Sequence, residues 1–258
     1  MKIKGLQKVT LIDYPEKIAC TIFLFGCNFG CPFCHNPELV SRDLAEELRD
    51  YTEEEILNFL ENRRGLLDGV CITGGEPTLN PELPELIEKI KSLGYSVKLD
   101  TNGSNPDMLK RLIANKLVDY IAMDIKVPLS RYTEFCENPE KIKESISLIM
   151  QFPDVGNSEP HTLMPGIPEH PKHESQSNRA FDYEFRTTVL PKIHSKEDII
   201  NIANDIKGAR KYVIQQFRQG KTLDPDFKNE KTFSVEELNE MKNSIKDLIQ
   251  NVKVRVNY

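Results

Sequence analysis

The chain has 258 residues, with 34 Lys and Arg against 40 Asp and Glu, a formal charge of −6. Hydrophobic residues make up 39 %, and with glycine added the apolar share nears the globular norm of about 45–50 %, which excludes collagen-like, mucin-like and wholly disordered chains. The length suits one large domain, and the acidic balance excludes a large nucleic-acid footprint, which needs clustered positive charge.

In chain order, the opening Met-Lys-Ile-Lys-Gly-Leu-Gln-Lys never builds the apolar run of a secretory leader. The longest apolar stretch, Ile18–Cys27, falls well short of the ~20 residues that a spanning helix needs. A cytosolic protein with no membrane partner is expected, and its six cysteines should be reduced thiols. Ile18–Phe25 is a continuous apolar run, the pattern of a strand buried on both faces. A helix follows from Thr52 to Asn62, with Thr52 and Glu55 forming a capping box. Strands are predicted at Gly69–Thr73, Tyr95–Thr101, Asp119–Ile125, Tyr183–Leu190 and Lys211–Phe217. Helices are predicted at Pro81–Leu93, Pro106–Ala114, Pro139–Met150, Ser195–Ile206 and Ser234–Asn251, the last opened by a Ser234–Glu237 capping box. Six strand–helix units imply a parallel sheet with helical crossovers in a single domain spanning 1–258. The rhythm breaks at Pro153–Ala180, rich in Pro, Ser and Asn and holding His161, His170 and His173. It reads as a long, partly disordered surface loop, because its histidine spacing fits no compact ligand set.

Cys27-Asn-Phe-Gly-Cys31-Pro-Phe-Cys34 follows the first buried strand as C-x3-C-x2-C. Three thiolates on a tight loop can hold three corners of an Fe–S cube and leave the fourth iron without a protein ligand. An open position suits a catalytic centre, whereas a structural site is closed. The competing reading is a zinc site closed by His35, although adjacency to Cys34 places that ring badly. A non-catalytic Fe–S electron carrier or a zinc-binding adaptor is the corresponding non-enzymatic function, and a carrier wants a fourth nearby cysteine. Cys20, Cys71 and Cys136 have no partner at ligand spacing and read as small core or surface residues.

The triplet, with aromatic Phe33 before its last cysteine, resembles the signature of radical S-adenosylmethionine (SAM) enzymes. Cys34-His35-Asn36 is similar to the form found in glycyl-radical activating enzymes, and Gly5–Pro15 is similar to the opening of anaerobic ribonucleotide reductase activating proteins. The resemblance implies an α/β fold, a partial (β/α)6 open TIM-like barrel, whose lateral gap would admit a loop of a protein substrate. It implies a [4Fe–4S] cluster on Cys27, Cys31 and Cys34, with SAM chelated to the open iron, and reductive cleavage of SAM to methionine and a 5′-deoxyadenosyl radical. The radical would take hydrogen from a glycine of a partner, anaerobic ribonucleoside-triphosphate reductase being favoured, with flavodoxin or ferredoxin as the low-potential donor. A pyruvate formate-lyase-type activator and a small-molecule enzyme such as 7-carboxy-7-deazaguanine synthase are the alternatives. Activators that insert a ferredoxin-like cluster domain carry more cysteines than this chain has.

Further motifs fall at predicted strand ends, where barrel sites gather. Thr73-Gly74-Gly75-Glu76-Pro77 ends the second strand. Its glycines would let a ligand approach the backbone, and the carboxylate would receive an ammonium group, by resemblance that of SAM. Asp100-Thr101-Asn102-Gly103 and Asp124-Ile125-Lys126 end the next two. They resemble motifs that contact SAM and, in some members, a monovalent cation, with simple caps and a solvated lysine as the competing readings. Lys126 would meet the SAM carboxylate. Arg186 lies in an otherwise buried strand, which requires an ion pair or a ligand. Gln215 and Gln216 end the sixth strand facing the mouth, and Asp13 is placed to touch a protein substrate.

Overall fold

The computed structural model describes residues 1–151 and 181–256, so the insertion at 153–180, including His161, His170 and His173, lies outside the described residues. Eight strands form one sheet in chain order: β1 (Ile3–Thr10), β2 (Ala19–Leu24), β3 (Gly69–Gly74), β4 (Ser96–Thr101), β5 (Tyr120–Asp124), β6 (Asp182–Val189), β7 (Lys211–Gln216) and β8 (Asn251–Arg255). β1 runs antiparallel to β2, and all later neighbours are parallel. The helices between them are α1 (Arg42–Ala45), α2 (Glu53–Glu61), α3 (Leu83–Ser92), α4 (Pro106–Ala114), α5 (Pro139–Gln151), α6 (Lys196–Asp205) and α7 (Val235–Ile245). β1 and β8 are the two edges and do not pair with each other, so the barrel stays open.

The six predicted strands are present, and two more extend the sheet. β1 exposes the consecutive Gln7, Lys8 and Val9 and gains order by antiparallel pairing, Ile3 opposite Leu24 and Gln7 opposite Thr21. The helix predicted to run to Asn251 ends instead at Ile245. The Gln250 amide bonds the Ala209 carbonyl and turns the chain into β8, where Val252 lies opposite Tyr212. No proline or glycine marks that stop. The partner strand supplies it. Both predicted capping boxes form, and a third joins Ser195 to Asp198 at the start of α6.

Strand side chains alternate between faces with period two, and here the two faces have opposite character. The outward set, including Ile22, Ile72, Leu99, Ile121, Phe185 and Ile214, is fully buried. It forms one core with Ile56, Leu86, Leu109, Ile142, Ile199 and Leu238 of the surrounding helices. The inward set has a small apolar cluster of Tyr14, Ala19, Tyr120 and Ala122. Above that cluster it turns polar, with Thr21, Lys98, Asp100, Asp124, Glu184 and Arg186. The main hydrophobic core therefore lies between sheet and helices, and the barrel interior is left for chemistry.

Gly74 and Gly75 fix the end of β3 against the loop that follows β2. A Cβ on Gly74 would lie 2.2 Å from the Leu24 carbonyl oxygen, and one on Gly75 would lie 2.1 Å from that of Gly26. Both glycines line the cavity described below, but the tightest constraint on them is protein backbone. The approach is used, because the Gly75 amide donates to Leu24 and the Glu76 amide to Gly26. Gly74 also has φ of +130°, a region that L side chains rarely adopt. Gly74→Ala is expected to destabilise the protein by about 2–4 kcal/mol, as strain and overpacking add. A lowered urea midpoint with unchanged slope would show it.

Candidate active site

A cavity of about 770 Å³ opens over the C-terminal ends of the parallel strands and reaches both edges, from Asp13 beside β1 to Arg255 on β8. Cys27, Cys31 and Cys34 all line it, on the loop after β2. The Cys34 amide closes a turn onto the Cys31 carbonyl at 3.0 Å, and the Phe29 amide donates to Cys27 Sγ at 3.4 Å. The far side of the loop is tied down by the Leu223 and Asp224 amides, which donate to the Cys34 and Pro32 carbonyls. Phe33 is buried edge-on against Phe135 and His194, so this aromatic residue anchors the loop from below.

His35 does not turn back onto the thiols. Its ring stacks on Phe217 at 5.0 Å, and its Nε2–H donates to the Arg218 carbonyl at 2.7 Å. That engagement removes the closing ligand that a zinc site would need. Among the described residues, no group of three His, Cys, Asp or Glu is arranged to hold a single metal ion. The donor set is instead three thiols facing one cavity, which fits the corners of a multi-iron cluster with one iron left open. Burial pushes Cys27 up to about 11 and Cys31 up to about 12, and raises Cys34 as well. Lys126 opposes burial at all three without outweighing it, and metal ligation would supply the deprotonation.

Glu76 departs from expectation. Its carboxylate is fully buried and does not line the cavity. It accepts from the Thr78 amide and hydroxyl, from Thr101 Oγ1 at 2.8 Å and from the Asn102 amide. Burial raises its pKa against these bonds. Glu76 thus joins the β3 turn to the end of β4, and its side chain is not held out toward an ammonium group. Pro77, also expected at the cofactor, is buried at the start of a short 3-10 turn and likewise does not line the cavity.

Asp100, Asp124, Lys126 and Arg186 do converge, and they converge on one another. Arg186 Nε donates to Asp124 Oδ1 at 2.8 Å, and its Nη1 reaches Asp100 Oδ2 at 3.4 Å. Lys98, only 1 % exposed, pairs with Asp100 from below, and Lys126 donates to the free oxygen of Asp124 at 2.9 Å. The result is an alternating row, Lys98–Asp100–Arg186–Asp124–Lys126, laid across β4, β6 and β5 with Lys126 just beyond the strand. Burial opposes ionisation of Asp124, but Arg186 and Lys126 outweigh it and hold its carboxyl well below the usual range. Arg186 is ion-paired, the structural reading of it, and it also lines the cavity. Lys126 is likewise in the wall, although its ammonium is already committed to Asp124.

A second charged group was not anticipated. Glu184 accepts from Tyr120 Oη at 2.9 Å, Lys211 at 2.8 Å and Arg255 at 3.3 Å. The signal was in the sequence: Lys98 with Asp100, Glu184 with Arg186, and Lys253 with Arg255 are charged pairs at i, i+2, hence on one strand face. Gln215 lines the cavity beside Thr188. Gln216 also lines it, and its Nε2 donates to the Phe233 carbonyl at 2.7 Å. Asp13 lines the rim, where its carboxylate accepts from Thr21 Oγ1 at 2.6 Å.

The open parallel barrel with three cysteines at its mouth defines the class of protein. The Radical SAM superfamily model matches residues 21–179, and the chain belongs to that superfamily. Within it, a protein of Methanocaldococcus jannaschii assigned by name as a glycyl-radical enzyme activating enzyme is 35 % identical over 254 residues, covering 98 % of this chain and 95 % of the relative. The pyruvate formate-lyase-activating enzyme of Clostridium pasteurianum is 31 % identical over 48 % of this chain and 52 % of its own. The 7-carboxy-7-deazaguanine synthase of Methanopyrus kandleri is 32 % identical over 40 % of this chain and 47 % of its own. Among solved structures, Streptococcus suis SuiB bound to S-adenosylmethionine aligns with a TM-score of 0.59 at 15 % identity, over 92 % of this chain. The chain spans about half the length of SuiB (49 %), and the likeness is one of fold. Among the described residues no helix is long and apolar enough to cross a membrane.

The Glu184 group makes a pH prediction. Burial opposes its ionisation, but Arg186, Lys211 and Arg255 bring the carboxyl down to about 2 from 4.5. A depressed folded value means that this stability is complete above about pH 5 and is lost as pH falls toward 2. Glu184→Gln should cost about 3 kcal/mol at pH 7 and flatten that part of the acid limb, read as urea midpoint against pH.

Proposed function

We propose that this chain is an activase that binds SAM beside a [4Fe–4S] cluster and generates a glycyl radical on a partner enzyme, anaerobic ribonucleoside-triphosphate reductase being the favoured partner. The observation that carries the reading is the placement of three thiols on the wall of a large cavity that is open between β1 and β8. When bound, the cluster and SAM would supply a one-electron reductive cleavage that yields methionine and a 5′-deoxyadenosyl radical. The residues of this chain bind, orient and exclude water. Cys27, Cys31 and Cys34 would hold the cluster, and the backbone of Gly74 and Gly75 borders the same space.

The wall carries six Lys and Arg against four Asp and Glu, a positive lining in an acidic chain. Such a lining favours an anionic carboxylate or an electron-rich cluster over a cationic guest. Asp100 and Asp124 are paired with bases on either side, so a monovalent cation there would have to compete with Lys98, Arg186 and Lys126. The near full-length similarity to the M. jannaschii protein supports glycyl-radical activation over the deazaguanine synthases, which match over less than half the chain. Support for the reductase as partner comes from Gly5–Pro15, the segment similar to its activators, which forms β1 and the cavity rim. There Leu11 and Ile12 are 73 % and 62 % exposed. A low-potential donor such as flavodoxin or ferredoxin would complete the system.

Anaerobic incubation of iron-reconstituted protein with SAM and dithionite should release 5′-deoxyadenosine. Cys27→Ala, Cys31→Ala and Cys34→Ala should each reduce that release to background, whereas Cys136→Ala should leave it unchanged. Addition of the reductase should produce a glycyl doublet in the EPR spectrum. A doublet with pyruvate formate-lyase alone would reassign the partner, and a cluster-loaded protein that does not cleave SAM would refute the activity.

A further inference from the structure

Asn102 was expected at SAM, yet its side chain is oriented toward a cysteine of the triplet. It is 6 % exposed. Its Oδ1 accepts from the Ser104 amide at 2.9 Å, which turns Nδ2 toward Asn28 Oδ1 at 3.1 Å and Cys27 Sγ at 3.9 Å. Asn28 Oδ1 also accepts from Ser104 Oγ at 3.2 Å. A flipped amide would set oxygen against oxygen at Asn28 and a donor against the Ser104 amide, so the network selects one orientation. The backbone beneath is held equally firmly. Glu76 takes the Asn102 amide and the Thr101 hydroxyl, the Gly103 amide donates to Thr101 Oγ1, and Ser145 Oγ donates to the Gly103 carbonyl at 2.6 Å. The other hydrogen bonds to the triplet's sulfurs come from backbone, Phe29 on Cys27 and Asn36 on Cys34.

We propose that Asn102 is a positioning residue that donates its Nδ2–H to the Cys27 sulfur and raises the reduction potential of the cluster held there. The physical reason is that reduction adds negative charge to the cluster and its sulfurs. A donor fixed at one sulfur stabilises the reduced form more than the oxidised one. Glu76 acts one step further back, by fixing the Thr101–Asn102 backbone. The inference rests on the reading that Cys27, Cys31 and Cys34 hold a cluster, and it gives the buried Glu76 a function without requiring it to reach the cavity.

The test is a redox titration of the iron-reconstituted full chain without SAM, following the EPR signal of the reduced cluster. Cluster loading, read by iron content and visible absorption, is measured first. If the unmodified protein fails to load, the cluster reading itself is wrong. In Asn102→Ala, which removes the donor, the reduced-to-oxidised ratio at the unmodified protein's midpoint should fall about tenfold, a 59 mV shift for one electron. In Asn102→Asp, which keeps the acceptor for Ser104 but sets a carboxylate oxygen at the sulfur, the shift should be larger in the same direction. Titration of both loaded variants at the original midpoint, or above it, would overturn the proposal. Loss of loading in both would also overturn it, by assigning Asn102 to loop assembly alone. The titration is then repeated with SAM, and a change that appears only with SAM present would overturn the proposal and return Asn102 to a direct SAM contact.

Discussion

The alternating row Lys98–Asp100–Arg186–Asp124–Lys126 is the constraint on which the rest of the structure depends. Five charges inside a barrel would be prohibitive singly, because each loses its hydration. Laid in alternation on three adjacent strands, each carboxylate has a base on either side. Removing one member strands its neighbours, so the row behaves as a unit that specifies register between β4, β5 and β6. It also explains why the interior is polar. With the main hydrophobic core placed between sheet and helices, the fold does not need an apolar interior to be stable.

That division of labour makes the cavity usable. The wall at the strand ends is pre-charged and held by neighbours, so it need not reorganise when a charged guest enters. Lys126 couples the row to the thiols, since it is bonded to Asp124 and opposes the burial that raises all three cysteines. On the opposite side, Glu76 and Asn102 couple the ends of β3 and β4 to Cys27. The cysteine loop is therefore gripped from two sides by polar groups that belong to different strands.

Much of this was legible beforehand. The strand–helix rhythm, the two capping boxes and the loop position of the triplet follow from local rules, and so does the gathering of strand-end motifs at one mouth. The missed elements share a cause. β1 and β8 are edge strands with few apolar residues, and their order comes from pairing with β2 and β7, which no local pattern reports. A carboxylate beside two glycines suggests an exposed ligand, whereas four donors in the folded chain, from Thr78, Thr101 and Asn102, draw the Glu76 side chain inside. Glu184 was overlooked although its i, i+2 neighbour Arg186 was noted, since the pairing of Glu184 with Lys211 of β7 and Arg255 of β8 is a tertiary fact.

The sequence by itself determined the chemistry available: three thiols at fixed spacing, acidic and basic residues at strand ends, and glycines where no side chain fits. Those depend on covalent order and local conformation, and they are sufficient to identify the superfamily. Only the tertiary structure decided what each group faces. Asp124 and Lys126 answer each other before any ligand, Glu76 clamps backbone, His35 stacks away from the thiols, and Asn102 points its donor at Cys27. Such choices depend on which atoms compete for a buried polar group, and those competitors come from strands distant in the chain.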